Sequence, residues 1–581
     1  MTRGAILLGA LAALLLGAGG EAASAGSGGG SIAGPPAATR APAASPAGAG
    51  TTVATPTGNL LVLLDENRAG AAVDGSSIQS MLAQLGAHAA GRSVPEIGLV
   101  TVEPPPNVST SAFGRVLASL PGVASAQPEL RYALRMVPSD PALTTVDQTT
   151  HVDWQWYLAR EGFYRAWDLS RGRGALVGMI DTGIDAKHPD LASKIAATVD
   201  QQSPADSTGP ADTDQVGHGT HVASLACAAT NNGLGIAGAG YDCRLVMEKT
   251  DFTDSSIDAA IVDATKRHVG AINMSFGPSA GGTASAPRSE VRALDYAAAH
   301  RVVLVAAASD SPSTEQGDPA NVLQPPGTGP QMNDGIGLDV TAADYNGSRA
   351  SFSGSGTEIS LAAYGAFEPS GNVFSPCSAP TFGLLGAYPA NSTVLEAFPP
   401  TACRVDFDAD NRYATIAGTS MAAPQVSATA AMMRVLNPYA TLQDLVRAIK
   451  RTAQRPPGER WNGNLGWGIL DAGAALDAIR RVDHLAPSSK LIAPNVTHHA
   501  SFVLHWTGHD QQRPGLIASG IAYFELFVRR GNGRAVLLAR TARRSWRFTG
   551  RPGHRYVFWL VAVDRAGNHQ RNPRHVSAFV A

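Results

Sequence analysis

The apolar positions of the chain divide it into segments with different predicted structures. Within residues 137–483, short apolar runs alternate with helical patterns, as in a parallel sheet covered by helices on both faces. The clearest predicted strands are 175–180, 245–247, 271–274 and 302–307. The predicted helices are 218–229, 256–267, 289–300, 420–436 and 441–452. This order predicts an α/β domain with a doubly wound parallel sheet, in which residues 366–412 form a long loop insertion.

Two smaller folded units are predicted on either side of this domain. Strand-like runs at 60–64, 99–102 and 122–127 alternate with helical patterns at 78–85 and 111–120. This order predicts a small α+β domain over residues 58–136. After a linker at 484–497, short strands are predicted at 501–506, 522–528, 535–539 and 556–563. Their even spacing predicts a β-sandwich over residues 498–581.

The first 57 residues have the pattern of an export signal followed by a linker. Arg3, the apolar stretch 5–16 and the small residues Ala23-Ser24-Ala25 are typical of a signal peptide over residues 1–25. Residues 26–57 are almost wholly Gly, Ala, Ser, Pro and Thr, which is typical of a linker. We therefore expect a secreted, extracellular product that is soluble after cleavage. Anchoring by an uncleaved signal is the alternative.

Charge is distributed unevenly along the chain. The formal net charge of the whole is −2, which predicts no nucleic-acid partner. Residues 501–581, however, contain 13 Arg and no Lys against Asp510, Glu525 and Asp564, so this segment carries +10 and the remainder −12. Such a module could contact an anionic cell surface, and a solvated Arg-rich face is an equally good explanation.

The chain has four cysteines: Cys227, Cys243, Cys377 and Cys403. An even number in an exported chain favours disulfides, for which three pairings exist. The pairs 227–243 and 377–403 are favoured because each closes a short loop. Neither spacing resembles the C-x-x-C pattern of metal or redox sites.

Asp181 directly follows the predicted strand 175–180, and doubly wound folds place their chemistry at the carboxyl ends of such strands. By itself the triplet Asp181-Thr182-Gly183 would also fit an aspartic peptidase. That class needs two such carboxylates, whereas D-T-G occurs once in this sequence. The α/β pattern around it is also wrong for that all-β class.

Two further segments place polar side chains at helix starts. His218 lies where glycines give way to an apolar helix, and a zinc site would combine it with His221. The H-E-x-x-H pattern and a third ligand are missing from the sequence, which disfavours zinc. Ser420 opens a helix whose free N–H groups can help to hold an oxyanion. The alternative is an ordinary N-cap serine.

Taken together, D-T-G-I-D at 181–185, H-G-T-H-V-A at 218–223 and G-T-S-M-A-A-P at 418–424 resemble the subtilisin-like serine peptidases, or subtilases, in sequence and order. The resemblance covers about residues 149–476 and the preceding segment. It implies a secreted serine endopeptidase acting on proteins, in which Ser420 is the nucleophile, His218 the general base and then acid, and Asp181 the group that orients the imidazole.

The resemblance also implies roles for other segments. Residues 58–136 resemble the inhibitory pro-domain, which is removed autocatalytically. Residues 272–277 resemble the edge strand that pairs with substrate, and its Ser275, Phe276 and Gly277 would line the first specificity pocket. A core strand is the alternative, and both can hold. No cofactor is required for the chemistry. Structural calcium is compatible with the family, but its acidic ligands cannot be assigned in this sequence.

One position departs from the family pattern. The family's oxyanion-hole Asn follows a strand like 305–309, and here that strand leads into Asp310. An ionised Asp310 would repel the developing negative charge, whereas a protonated one could still donate a hydrogen bond.

At the C-terminal end, Trp506, 556–558 and 563–568 resemble a fibronectin type III or immunoglobulin-like module. A rival to the enzyme is therefore a catalytically weak or silent peptidase-like binding protein, attached to a surface through this basic module.

Overall fold

The computed structural model describes residues 54–64, 82–90, 93–105, 108–120, 122–132, 137–278, 286–367, 382–397, 401–456 and 458–581. The predicted signal peptide and nearly all of the predicted linker 26–57 lie outside these residues, as does the first half of the predicted helix 78–85. The described residues fall into two compact units, one before and one after residue 137.

The first unit is a four-stranded antiparallel sheet with one described helix. Its elements are β1 (Ala54–Leu64), β2 (His88–Ala89), β3 (Leu99–Glu103), α1 (Thr110–Ala118) and β4 (Val123–Tyr132). The strand order is β2-β3-β1-β4. Phe113 and Leu117 of α1 pack on Leu60 and Val62 of β1, which gives this small α+β unit a core of its own.

A seven-stranded parallel sheet forms the centre of the second unit. Its strands are β5 (Leu176–Asp181), β6 (Ile195–Asp200), β7 (Arg244–Lys249), β8 (Ala271–Met274), β9 (Val303–Ala307), β10 (Gly337–Ala343) and β11 (Leu361–Tyr364). Their order in the sheet is β11-β10-β9-β8-β5-β7-β6. The chain therefore extends the sheet first on one side of β5 and then on the other, as expected for a doubly wound fold.

Helices cover both faces of this sheet. They are α2 (Trp156–Arg160), α3 (Phe163–Leu169), α4 (His218–Cys227), α5 (Asp254–Lys266), α6 (Arg288–Ala299), α7 (Ala320–Leu323), α9 (Thr419–Leu436), α10 (Leu442–Thr452) and α11 (Ala472–Ile479), with the short α8 (Val394–Ala397) lying in an insertion described below. Side chains of β5 alternate between the two faces: Val177 and Met179 pack with α4 and α9, and Ile180 packs with α5 and α6. Among the described residues, no helix combines the length and apolarity needed to cross a membrane.

The insertion at 366–412 is not simply a loop, as the sequence had suggested. It contributes β12 (Leu384–Ala387), β13 (Ala402–Phe407) and β14 (Asp410–Ile416), which form an antiparallel sheet in the order β12-β14-β13. Asp408 and Ala409 make the turn between β13 and β14, and both have positive φ angles of 57° and 59°. Hairpin turns of this kind usually carry Asn-Gly or Asp-Gly, so an Asp-Ala pair gave no signal of a hairpin.

The C-terminal region is a two-sheet β-sandwich. One sheet has the order β15-β17-β20 and the other β16-β22-β21-β18-β19. The strands are β15 (Ser488–Ile492), β16 (Val496–Thr497), β17 (Ser501–His509), β18 (Ile521–Arg530), β19 (Val536–Thr541), β20 (Ser545–Thr549), β21 (His554–Asp564) and β22 (Val576–Val580). Trp506, Phe524 and Phe558 share the core between the sheets.

Strand β15 lies within the segment 484–497 that the sequence suggested as a linker. It pairs antiparallel with β17, from Ser488 opposite His509 to Ile492 opposite His505. Leu491 points into the core of the sandwich. The short segment escaped detection because Leu491 is the one residue of β15 that is buried.

Candidate active site

Asp181 is the last residue of β5, between β7 and β8, where the order of the sheet reverses. Its side chain is buried, and its Oδ1 accepts a hydrogen bond of 2.8 Å from the Thr182 N–H. Asp181 Oδ2 is buried without a hydrogen-bond partner. The carboxylate is thus held in one orientation at the carboxyl end of the sheet.

His218 is the first residue of α4, and its Nδ1 lies 2.8 Å from Asp181 Oδ1. Two glycines allow the helix to start this close to β5. Gly217 has a φ of 95°, and a Cβ there would lie 2.4 Å from the Tyr388 hydroxyl. A Cβ on Gly219 would lie 2.2 Å from the Gly183 carbonyl oxygen. Larger residues at either position would push the imidazole away from Asp181.

The pKa of His218 is raised above its ordinary value. Burial by itself lowers this pKa, but the charge and hydrogen bond of Asp181 raise it, as do the charges of Asp214 and Asp310. The imidazole therefore gains a proton more readily than a free histidine does, which suits a group that must accept one during a reaction.

Asp214 is a buried residue that the sequence did not single out. Its Oδ1 accepts hydrogen bonds from the Thr182 hydroxyl and from the N–H groups of Val216 and Gly217. Its Oδ2 accepts from the N–H and hydroxyl of Thr220. Asp214 therefore ties together the loop before α4, the first turn of α4 and the residue after Asp181. An aspartate four residues before a histidine carries no signal of this role.

Ser420 lies in the first turn of α9, as predicted. Its hydroxyl donates to the Ser275 carbonyl oxygen at 3.3 Å, and no hydrogen bond joins it to His218 in the described part of the chain. The Ser275 hydroxyl in turn donates to the Ser420 carbonyl oxygen at 3.0 Å. These two bonds fix the start of α9 against the end of β8.

Asp310 lies beside the start of α9. Its Oδ1 accepts hydrogen bonds of 2.8 Å from both the N–H and the hydroxyl of Thr419, the residue before Ser420. Loss of hydration raises the pKa of Asp310, whereas the Thr419 hydrogen bonds and the charge of His218 oppose the rise. The Oδ2 atom lies 3.4 Å from the position of a Cβ on Gly418, two residues before Ser420.

The proposed substrate-binding residues follow β8. This strand lies inside the sheet, between β5 and β9, so 271–274 is a core strand, and the pairing of substrate with 272–277 stays a prediction. All four of its residues are buried, which explains its position. Ser275, Phe276 and Gly277 continue beyond its end, and the Phe276 ring packs edge-on against Phe252 at 5.3 Å.

His221 is held away from any shared site with His218. Its Nε2 lies 3.0 Å from the Leu384 carbonyl oxygen and 3.1 Å from that of Ala414, so this nitrogen carries a proton and donates. Burial lowers the pKa of His221 to about 3. A neutral imidazole with Nε2 donating to two carbonyls is a structural contact with the inserted sheet, which disfavours the zinc alternative.

Cys227, at the end of α4, forms a disulfide with Cys243, and this is the pairing favoured from the sequence. Cys403 of β13 is also disulfide-bonded. Cys377 lies outside the described residues, so its pairing with Cys403 stays a prediction.

Comparison with known proteins identifies the family. The subtilase family model matches residues 172–468. Thermitase of Thermoactinomyces vulgaris is 27% identical over 302 residues, which are 51% of this chain and 86% of thermitase. Subtilisin DY of Bacillus licheniformis is 32% identical over 278 residues, 47% of this chain and 80% of that protein. An extracellular protease of Xanthomonas campestris is 28% identical over 402 residues, 63% of this chain and 61% of that protease.

The family match spans all the residues that meet at the carboxyl end of the sheet, from Asp181 to Ser420. The relatives include proteins named as serine proteases, such as the thermophilic serine proteinase of a Bacillus strain. The chain therefore belongs to the subtilase family and is a serine-type endopeptidase.

Proposed function

We propose that this chain is a secreted endopeptidase that cleaves proteins through an acyl-enzyme formed on Ser420, and that it is made as an autoprocessed zymogen. The observation that carries the proposal is the 2.8 Å contact between His218 Nδ1 and Asp181 Oδ1 at the carboxyl end of β5. This contact leaves Nε2 of the imidazole available to accept a proton.

The three groups have distinct roles in the proposed reaction. The Ser420 hydroxyl turns from the Ser275 carbonyl to His218 and attacks the carbonyl carbon of the scissile peptide, while His218 takes its proton. His218 then gives that proton to the leaving amine. Asp181 holds the imidazole in orientation and stabilises its charged form. Water then attacks the acyl-enzyme with the same proton transfers through His218, which releases the second product and restores the Ser420 hydroxyl.

The negative oxygen formed in each step needs hydrogen-bond donors. The first turn of α9 supplies N–H groups without partners inside the helix. Asp310 is proposed for the oxyanion-hole position, and its raised pKa extends the pH range over which it is protonated and can donate. Its two hydrogen bonds with Thr419 keep it next to the nucleophile.

Ser275, Phe276 and Gly277 are proposed to bind substrate. They leave the sheet beside Ser420, and a Cβ on Gly277 would meet no atom of the described residues closer than 3.7 Å, which supports the approach of an extended peptide there. Proteins and peptides are the proposed substrates, in keeping with the names of the relatives.

The parts outside the peptidase domain have proposed roles as well. Residues 58–136 are proposed as an intramolecular inhibitor, removed after folding. Secretion is supported by the signal-like residues 1–25 and by a relative named as an extracellular protease. The C-terminal sandwich is proposed as a fibronectin III or immunoglobulin-like module that contacts anionic cell surfaces through its arginines.

A binding protein without activity is the alternative, and labelling separates the two. The purified protein is incubated with casein and with a serine-directed phosphonate. We expect digestion of casein and a covalent adduct at Ser420, neither of which should occur in Ser420→Ala. Ser255→Ala, which changes an exposed serine of α5, is the matched control and should behave like the parent. Absence of both signals in a folded parent protein supports the alternative.

Ser420→Ala should also retain its pro-segment, because the same nucleophile is proposed to perform processing. Loss of the nucleophile of such a triad lowers kcat by about a millionfold. Intact mass measured on the purified variant checks this. Normal processing without a helper protease would contradict the role of Ser420.

A further inference from the structure

Three aspartates meet where the peptidase domain joins the β-sandwich. Asp483 follows α11, Asp510 follows β17 and Asp564 ends β21. One carboxylate oxygen of each lies within 4.8 Å of the others. Their residues are only 9%, 8% and 2% exposed. Three carboxylates from separate elements thus converge in a nearly closed space.

No Arg, Lys or His among the described residues forms an ion pair with Asp483, Asp510 or Asp564. This is unexpected in a segment with 13 arginines, where the other carboxylate, Glu525, pairs with Arg540.

Asp510 provides a second and independent observation. Its Oδ1 is buried without any hydrogen-bond partner, although its Oδ2 accepts from the N–H of Gly520 and the hydroxyl of Ser519. A buried carboxylate oxygen with no donor costs free energy unless a cation contacts it. Among the described residues, Asp510 is the member of the cluster that has such an unpartnered oxygen.

The remaining contacts orient the cluster without neutralising it. Asp483 accepts from the N–H groups of Leu485 and Ser519, and both Asp564 oxygens accept from Asn568. All of these donors are uncharged. Each carboxylate oxygen can accept more than one bond, so lone pairs remain for a ligand.

We propose that Asp483, Asp510 and Asp564 form a Ca²⁺ site that fastens the β-sandwich to the peptidase domain. Calcium takes oxygen ligands at about 2.3–2.6 Å, so two ligands on opposite sides of one ion lie up to about 5.2 Å apart. The three carboxylate oxygens, all within 4.8 Å of one another, fit this limit. A purely oxygen donor set disfavours Zn²⁺, which prefers nitrogen and sulfur ligands. One ligand comes from the peptidase side of the junction and two from the sandwich, so a bound ion cross-links them.

The test uses the full chain carrying Ser420→Ala, which prevents self-digestion. Calcium binding is measured by titration calorimetry after chelator treatment, and thermal unfolding is followed in chelator and in millimolar CaCl₂. Asp510→Asn removes one ligand and keeps an acceptor for Gly520. Glu525→Gln is the matched control, because it removes one carboxylate of the same module outside the cluster.

The expected result is a crossover in stability. In chelator, Asp510→Asn should be at least as stable as its parent, because it relieves repulsion among three carboxylates. In CaCl₂ the parent should gain several degrees in Tm that the variant lacks, and the parent should bind one more Ca²⁺. Asp564→Asn should repeat this pattern, whereas Glu525→Gln should follow the parent.

Equal calcium stoichiometry and equal calcium-induced Tm shifts in the parent, Asp510→Asn and Asp564→Asn would overturn the site. So would a loss of stability in Asp510→Asn that is the same with and without calcium, since this would show a purely structural role. All of these proteins also carry Ser420→Ala and so lack the proposed nucleophile. Neither result therefore depends on the proposed catalytic activity.

Discussion

At the residue scale, Asp310 is the residue proposed for the oxyanion-hole position, where the family pattern has asparagine. The structure holds Asp310 Oδ1 with two hydrogen bonds from Thr419 and leaves Oδ2 near Gly418, two residues before the nucleophile. Asparagine could keep both contacts through its own oxygen. Its amide nitrogen would then replace Oδ2 with a donor that does not depend on pH.

Asp310→Asn should therefore raise kcat, and the gain should grow with pH. The pKa of Asp310 is raised in the fold, so the group is neutral below that pKa and ionises as pH rises through it. Only the wild type then acquires a repulsive charge. One oxyanion donor contributes about 2.7–4 kcal/mol, so even partial recovery gives a severalfold increase. Steady-state kcat from mildly acidic to alkaline pH measures it.

Asp406→Asn is the matched control for this experiment, because it changes an exposed aspartate of the inserted sheet and should leave kcat unaltered. A lower kcat for Asp310→Asn at every pH would assign Asp310 another role, such as support of the Thr419 backbone alone.

The residues proposed for catalysis were predictable because each lies in a short distinctive segment after a strand or at a helix start. Asp214 and Ser275 were not selected as positioning groups, since their contacts with Gly217, Thr220 and Ser420 are made by backbone and side-chain atoms that only the folded chain brings together. Sequence patterns therefore identify the residues that are proposed to react. They are less informative about the residues that hold those groups in position.

At the scale of elements, the loop before α4 sets the position of His218. Asp214→Asn should lower kcat more than it changes KM, because it leaves the two Thr220 donors facing an amide group. Each buried donor without a partner costs about 1–3 kcal/mol. Removing the charge of Asp214 should also lower the pKa of His218, so the acidic limb of kcat/KM moves to lower pH.

The pH profile and the free energy of unfolding of Asp214→Asn are compared with those of Asp212→Asn. Asp212 is exposed and lies two residues earlier, so its replacement makes the same charge change outside the network. If the two variants shift the acidic limb equally, the effect is a general one of charge and the loop does not position His218.

Long, strongly patterned elements were predicted well, and weakly patterned ones were not. The predicted helix 420–436 corresponds to Thr419–Leu436, and the predicted strand 271–274 is β8. The inserted sheet was missed because its turn lacks glycine, and β15 because it is short and mostly exposed. Local sequence gives little information on strands that form only when a distant partner is present.

At the scale of the whole molecule, the β-sandwich contacts the peptidase domain at residues that follow α11. Ile517 N–H donates to the Arg480 carbonyl oxygen at 2.8 Å, and the Asn568 amide donates to the Asp483 carbonyl oxygen at 3.0 Å. Every residue proposed for catalysis precedes this junction.

Deleting residues 485–581 should therefore leave hydrolysis of a short soluble peptide nearly intact, while Tm and binding to anionic vesicles fall. The peptidase rate, the melting curve and vesicle sedimentation are measured on the truncated and full-length proteins. A folded truncated protein that has lost peptide turnover would show that the sandwich is part of the catalytic unit.

The disulfide between Cys227 and Cys243 has a consequence for how the enzyme is produced. Helix α4 carries His218 at its start and Cys227 at its end, so the bond fixes the far end of the helix that bears the proposed base. Closing a loop of this length contributes roughly 3 kcal/mol. A batch made in a reducing cytoplasm would lack this link and should be digested faster by its own active molecules. Two preparations of identical sequence should thus differ in their rate of self-digestion during storage if the disulfide forms in one and not in the other.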